Sequence, residues 1–449
     1  MSDLLEIARR VAAAGLTGEQ VEAYVVRSRE TEVEVFGGEV ESLTTAVIEG
    51  IGIRVVADHR QGYAWAGSLD AAVIDETLRD ARDNASFGEP DEWYVLAGPA
   101  DLDGVTAPDL DLWRDELASV PTDEKVRIAL ELDRATRAAD PRIRNVEATG
   151  YGDSLTEAAI ANSRGVEASQ RRTTCSASSS AIADDGTGPQ TGYGFVAGRR
   201  LADLDLDSVP RDAATRACRL LGARPIAGRR IPVILDPLVT RSVLGVLSSA
   251  FNGESVLKGR SLFSGRAGEL IGAPNVTVLD DPTDPRALGA GSHDSEGVPT
   301  RPITLIANGV LQGFLQNVYT GHRSGAGTTG SAVRGYTSTP GVGVRALRLE
   351  PGVHSPEEIM ASVPEALYVQ SVSGLHSGTN PISGDFSVGA EGLMVRGGAF
   401  AEPVREVTVA STLQRMLLDI ADIGADLTFL PGAVAGMTLL ISEMTLSGE

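Results

Sequence analysis

The sequence predicts an α+β fold in two domains. An N-terminal unit over residues 1–224 sets helices around an antiparallel meander, and a C-terminal β-rich unit over 225–449 can curl toward a barrel. Two long stretches, 21–67 and 142–200, alternate apolar and polar residues with period two, the mark of half-buried strands. Segments with apolar residues at helical spacing bracket both. Beyond residue 268 the chain is rich in glycine and turn residues, which suits short strands joined by tight turns. At roughly 100–200 residues per domain, 449 residues accommodate two or three cores.

In chain order, Leu4, Leu5, Ile7, Ala8 and Val11 place a helix over 3–15. The meander is punctuated at Gly37-Gly38, Gly50 and Gly62, and a helix over about 69–85 succeeds it. Residues 87–121, rich in Pro, Gly and Asp and carrying Trp93 and Trp113, read as a connection across the surface. Thr122 is the expected N-cap of a helix reaching about residue 139. Within 142–200, the run 173–180 reads as a strand with small polar residues on one face, and Asp184-Asp185-Gly186 as a hairpin turn. A helix over about 208–221 closes the first half, and 222–230, with Pro225 and Gly228, marks the boundary. Ile231 to Leu235 form a buried strand. Pro237 then opens a helix with Val239, Val243, Val246, Leu247 and Ala250 on one face. A last helix is expected over about 411–423.

Composition excludes several function classes. With 61 acidic against 39 basic side chains the formal charge is −22, which repels phosphate backbones and anionic lipid, so neither nucleic acid nor membrane is an expected partner. No apolar run of about 18 residues is present for a transmembrane helix, and the first ten residues open an amphipathic helix rather than a signal peptide, so a cytoplasmic location is expected. The only lysines, Lys125 and Lys258, lie outside any P-loop context, and neither has neighbours that favour Schiff-base chemistry. Cys175 and Cys218 make no CxxC pair and cannot close a zinc site alone.

The histidines, His59, His293, His322, His354 and His376, include no pair four or five residues apart, so HExxH and HExxxH are both missing. G-x-S-x-G is missing too. Gly325-Ala-Gly327-Thr-Thr-Gly330 has dinucleotide-like glycine spacing, but turn chemistry comes after it rather than a helix, and it reads as a loop. Two polar constellations stand out as substrate-contacting candidates: Asp294 and Glu296 before a turn, and His376, Asn380, Ser383 and Asp385 among glycine hinges. The same residues also suit Asx-turns that satisfy loop backbone.

Residues 293–315 (HDSEGVPTRPITLIANGVLQGFL) and 373–411 (SGLHSGTNPISGDFSVGAEGLMVRGGAFAEPVREVTVAS) resemble the C-terminal domain of the TldD/PmbA family of metallopeptidases, and the order of elements in the first half is similar as well. The resemblance implies a paired system. TldD-type subunits carry HExxxH on the helix after the first strand of this domain; TldE-type (PmbA) subunits lack it, and the complex cleaves unfolded or modified peptides. Here that helix places Gly245, Val246 and Ala250 where the ligands and the catalytic Glu would stand, so the chain resembles the TldE/PmbA branch.

The resemblance thus implies a subunit with no catalytic residue and no metal of its own. Zinc and the base would sit in a TldD-type partner, and the glycine-rich loops 321–335 and 373–389 would wall a peptide cleft. A homodimer without that partner is left open. Two other classes also stay open: a non-enzymatic peptide- or protein-binding protein, and a stand-alone metal hydrolase using His376, Asp385, Asp294 and Glu296.

Overall fold

The computed structural model describes residues 3–448. The first half contains α1 (Asp3–Ala12), β1 (Glu19–Phe36), β2 (Glu39–Ala57), β3 (Arg60–Ala66), α2 (Ala71–Phe87), single turns α3 (Pro99–Leu102) and α4 (Asp115–Ala118), α5 (Thr122–Ala138), β4 (Ile143–Asn162), β5 (Glu167–Ala183), β6 (Gln190–Gly198) and α6 (Ser208–Cys218). The six strands form one antiparallel sheet in the order β3-β2-β1-β4-β5-β6.

Strand parity assigns its two faces. Val21, Ala23, Val25, Val33 and Val35 of β1 are buried beneath the helices, with Ile51, Ile53 and Val55 of β2 beside them. Leu4, Ala8 and Val11 of α1 and Ile74, Leu78 and Ala81 of α2 cover one end of that face, and Ile128, Ala129 and Leu132 of α5 the other. The alternate residues Glu22, Tyr24 and Arg54 therefore point to the opposite face, where the second half of the chain packs.

Two expected strand breaks prove to be close approaches. Gly50 and Gly52 lie inside β2, on the face toward the second half. A Cβ on Gly50 would stand 2.4 Å from the Tyr336 ring, and one on Gly52 2.5 Å from the Tyr336 carbonyl. Gly62 lies inside β3 under α2, where a Cβ would meet Ala81 O at 2.0 Å. The actual reversal between β2 and β3 is Asp58-His59, both at positive φ (48° and 60°), as a two-residue hairpin loop of primed type requires. Pro121, not Thr122, precedes the first helical residue of α5.

The second half contains β7 (Arg229–Leu235), α7 (Pro237–Leu247) with a 3₁₀ turn Ser248–Phe251, α8 (Gly253–Leu257), β8 (Val278–Asp280), β9 (Ile303–Ala307), β10 (Val310–Leu311), α9 (Val318–Ser324), β11 (Ala332–Val333), β12 (Gly341–Val342), β13 (Leu347–Leu349), α10 (Pro356–Ala361), β14 (Glu365–Ser373), α11 (Leu375–Gly378), β15 (Asp385–Arg396), β16 (Ala399–Thr412), α12 (Leu413–Leu418), β17 (Ile420–Ile423) and β18 (Leu439–Ser447). Strands β16-β15-β14-β7-β18 are paired in that order, and β16 also pairs with β18 (Val409 opposite Leu446), so five strands close into a barrel. Closure removes the free edges such a sheet would otherwise expose.

Ile231, Val233 and Leu235 of β7 share a core with Val239, Val243, Leu244 and Leu247 of α7, so Leu244 joins the face predicted for that helix while Val246 is only partly buried. The expected helix over 411–423 stops at Leu418, and Ile420–Ile423 pair with β18 instead. Ile420 and Ile423 enter the barrel core from that strand, which outweighs the helical spacing of the preceding apolar residues.

Candidate functional site

Where the second half meets the six-stranded sheet, four charges lie out of water. Arg54 donates Nε to Glu22 at 3.1 Å and Nη2 to both Glu22 at 2.8 Å and Glu296 at 2.9 Å. Arg334 donates Nη2 to Glu22 at 2.7 Å, and its guanidinium lies 4.7 Å over the Tyr24 ring. Two cations against two carboxylates leave the group neutral, the condition under which buried charges persist. Burial alone would raise the Glu22 pKa, but Arg54 and Arg334 outweigh it and hold the carboxyl below its usual range. The same burial opposes the Arg54 cation, and Glu22 and Glu296 overcome it.

The predicted residues fall into two groups with separate partners. Asp294 and Glu296 belong to a tight turn closed by the His293–Pro299 bridge, and both are buried. Glu296 accepts the Val318 N–H at 2.8 Å at the start of α9, so it ties Arg54 of the sheet to that helix. The Asp294 carboxyl accepts backbone N–H groups of Glu296, Val298 and Ala332 at 2.8–3.0 Å. Burial, and then the charge of Glu296, push its pKa up to about 7.

His376, Asn380, Ser383 and Asp385 lie on the exposed connection between β14 and β15. Asn380 Oδ1 accepts the N–H groups of Ile382 and Ser383, an Asx-turn, and Ser383 Oγ donates to Asp385 at 2.6 Å. Strand β14 runs parallel to β7, with Val369 opposite Leu235, so this loop sits at the barrel end where α7 begins. Sequence reasoning missed Glu22, Arg54 and Arg334. The signal that could have found the first two was charge at alternate positions of otherwise apolar strands, Glu22 beside Val21 and Ala23, and Arg54 between Ile53 and Val55.

The helix that resembles the zinc helix is fixed firmly. Asp236 caps it by accepting the Leu238 N–H at 3.0 Å, and also binds Tyr368 Oη at 2.6 Å and Arg216 at 2.8 Å. Its side chains do not suit a metal. Gly245 is exposed and has no side chain, Val246 is aliphatic, and Ala250 is buried. Among the described residues no three His, Cys, Asp or Glu side chains are grouped to hold a metal ion. The remaining histidines are dispersed: His322 Nε2 lies 2.6 Å from Asp101, His354 Nδ1 2.8 Å from Asp422, and His293 Nδ1 3.0 Å from Ser292 Oγ. A zinc ion therefore does not fit the side chains this helix presents.

Comparison with known proteins places the whole chain in one family. Three family profiles match along the chain: PmbA/TldA metallopeptidase domain 1 over residues 21–85, the central domain over 115–221 and the C-terminal domain over 228–448. The chain is 29% identical over 451 aligned residues to metalloprotease PmbA of Escherichia coli O157:H7, covering 99% of this chain and 96% of that one. It is 24% identical to a metalloprotease TldD homolog of Haemophilus influenzae, covering 89% and 86%. A crystal structure from Thermotoga maritima, described as a candidate modulator of DNA gyrase, superposes with a TM-score of 0.90 at 25% identity, covering 98% and 99%. TldE from Thermococcus kodakarensis shares the fold, with a TM-score of 0.89 at 23% identity over 99% of each chain. The chain belongs to the PmbA/TldD metallopeptidase family, on its PmbA/TldE side.

Proposed function

We propose that this chain is the non-catalytic, TldE/PmbA-type subunit of a cytoplasmic TldD/TldE metallopeptidase that cleaves unfolded or modified peptides. A TldD-type partner bearing HExxxH supplies the zinc and the catalytic carboxylate. The observation that carries this reading is the helix α7 with its 3₁₀ extension: held in place by Asp236, yet offering Gly245, Val246 and Ala250 where ligands and base would be needed. Metal hydrolysis needs a Lewis acid to polarise the scissile carbonyl and a base to take the water proton, and this helix has neither. The chain's contribution is then to complete and wall a peptide cleft, with the loops 321–335 and 373–389 and the residues His376, Asn380, Ser383, Asp385, Asp294 and Glu296 as the candidate contacts. Of these, the exposed four are the ones a peptide can reach directly; Asp294 and Glu296 act by holding the turn and α9 in place.

Metal content and hydrolysis of an unfolded peptide, measured for this chain alone and mixed with an HExxxH-bearing partner, test the proposal. Metal and turnover are expected only in the mixture. Stoichiometric metal and turnover in the isolated chain would overturn it. A stand-alone hydrolase built on His376, Asp385, Asp294 and Glu296 is the less favoured reading, because Asp294 and Glu296 are already engaged by buried N–H groups or by Arg54 and Asp385 by Ser383.

A further inference from the structure

Below the same interface lies a cavity of about 230 Å³ whose charge is the reverse of the chain's. Its roof is the sheet face opposite the helices. The cross-strand pairs Thr156–Arg172 and Ala158–Gln170 of β4 and β5 all line it, as does Tyr24 of β1. Its floor comes from the second half and includes Ser295, Arg334 and Arg345. Four of its lining residues are arginines, at 171, 172, 334 and 345, and among the described residues no Asp or Glu lines it. In a chain with 61 acidic and 39 basic side chains, a uniformly cationic hollow is not the average surface folded inward.

The cations there are incompletely used. Arg334 has no exposed side-chain surface, yet after Nη2 is spent on Glu22 its Nε and Nη1 have no hydrogen-bond partner. Such buried donors ordinarily find an acceptor, and leaving them bare costs on the order of 1–3 kcal/mol each. Arg345 is buried and its guanidinium donates to the backbone carbonyls of Gly289 and His293, with no carboxylate as partner. No hydrogen bond or ion pair engages the Arg172 side chain among the described residues. Burial, and next the nearby Arg172 cation, push the Arg345 pKa down, so the pair is short of negative charge. Apolar surface completes the walls, from Ala158, Val333 and Val344. The volume is several times the roughly 30 Å³ share of one water. A larger hollow of about 680 Å³ beside Trp113, with Arg171 at 5.0 Å over that ring, shares Leu112, Gln170 and Arg171 with it and is lined as well by Asp109, Asp111 and Glu157.

The geometry points to a binding site for an organic carboxylate with a short apolar group, best met by the C-terminal residue of a peptide: its carboxylate faces Arg334, Arg172 and Arg345, and its side chain the aliphatic wall. Planar guanidinium forks suit a carboxylate, and a mostly apolar pocket with a few convergent charges is the usual form of a small-ligand site. The inference rests on the reading of the chain as a peptide-holding subunit and adds that it grips a free C-terminus.

Isothermal titration of the full chain, without partner or metal, tests it with three ligands: N-acetyl-Ala-Leu as the free acid, the same dipeptide as its C-terminal amide, and inorganic phosphate. The acid is expected to bind at least about tenfold more tightly than the amide or phosphate, the ratio that about 1.4 kcal/mol of charge recognition gives. Arg172→Gln, which removes no contact the fold uses, is expected to weaken the acid about five- to tenfold and leave the amide unchanged. Arg334→Met, with its folding checked by thermal denaturation, is expected to do the same. Equal binding of acid and amide, phosphate as tight as the acid, no binding of any ligand, or an unchanged acid affinity in Arg172→Gln each overturns the inference. Because no partner or metal is present, this failure is separable from failure of the mixing experiment, which reads turnover.

Discussion

Replacing Arg54 by methionine removes the one cation that touches both Glu22 and Glu296. Glu22 keeps Arg334 at 2.7 Å, but Glu296 is left with a single partner, the Val318 N–H at 2.8 Å, and no opposite charge. Both carboxylates have no exposed side-chain surface, so water cannot compensate. Removing one member of such a buried set costs about 3–5 kcal/mol, most of it the penalty of the stranded charge rather than the lost bond. The double variant Arg54→Met with Glu296→Gln separates the two. The amide oxygen still accepts from Val318 while the charge is gone, and Glu22–Arg334 remains a neutral pair. The double variant should therefore recover about 1–3 kcal/mol of what the single variant loses. Urea unfolding at pH 7 followed by tryptophan fluorescence reads this directly, since Trp65 of β3 makes edge contact with Tyr336 of the second half, ring centroids 6.0 Å apart. Raising salt to 1 M, where screening extends only about 3 Å, should leave the differences intact because the charges are dry. A cost under about 1 kcal/mol for Arg54→Met, or a double variant as damaged as the sum of its singles, would refute the idea that these charges are sealed against one another.

Two single positions give further expected outcomes. Burial pushes the Asp280 pKa up to about 6 from an ordinary 3.8, against the opposing N–H donors of Ala346 and Arg345. The folded state therefore holds a proton that the unfolded chain has released, so this contribution is complete below about pH 4 and is lost as pH rises through about 6. Asp280→Asn keeps an oxygen for both N–H groups, and its stability should exceed the parent's progressively from pH 4 to 7, by at most roughly 3 kcal/mol at about 1.4 kcal/mol per unit; a constant difference across that range would count against the assignment. Gly62→Ala forces a Cβ to within 2.0 Å of Ala81 O, so α2 must lift from β3. A loss of about 3 kcal/mol or more in thermal unfolding is expected, at the upper end for overpacking, and a change under about 1 kcal/mol would mean the helix is not seated there.

The layered half of this fold was open to reading because its physics is local. Period-two runs between helices gave the meander, and the alternation that buries Val21, Ala23 and Val25 was visible in the string itself. Closure of the barrel was less accessible: β16 meets β18 across 35 residues and a helix, and no local pattern encodes a pairing at that separation. Gly50 and Gly62 misled for a related reason. A glycine marks freedom of the backbone or an approaching neighbour, and only the neighbour, Tyr336 or α2, says which. The cationic cavity is the extreme case. Arg172 and Arg334 are 162 positions apart and meet only because one sheet face is the roof of the other half's floor.

A similar independence of fold from local side-chain chemistry holds at α7. The position of α7 does not depend on what its solvent side carries. Asp236 fixes its first turn to Arg216 and to Tyr368, and Val239, Val243, Leu244 and Leu247 fix its inner side to the barrel core. Gly245 faces outward with nothing within 4 Å of where a Cβ would be, so a side chain there distorts no neighbour, whereas Val246 packs against the barrel core and Ala250 is buried in it. The residue at position 245 can thus change at almost no cost in stability, whereas the Arg54–Glu22–Glu296–Arg334 group cannot lose Arg54 without leaving Glu296 with no opposite charge.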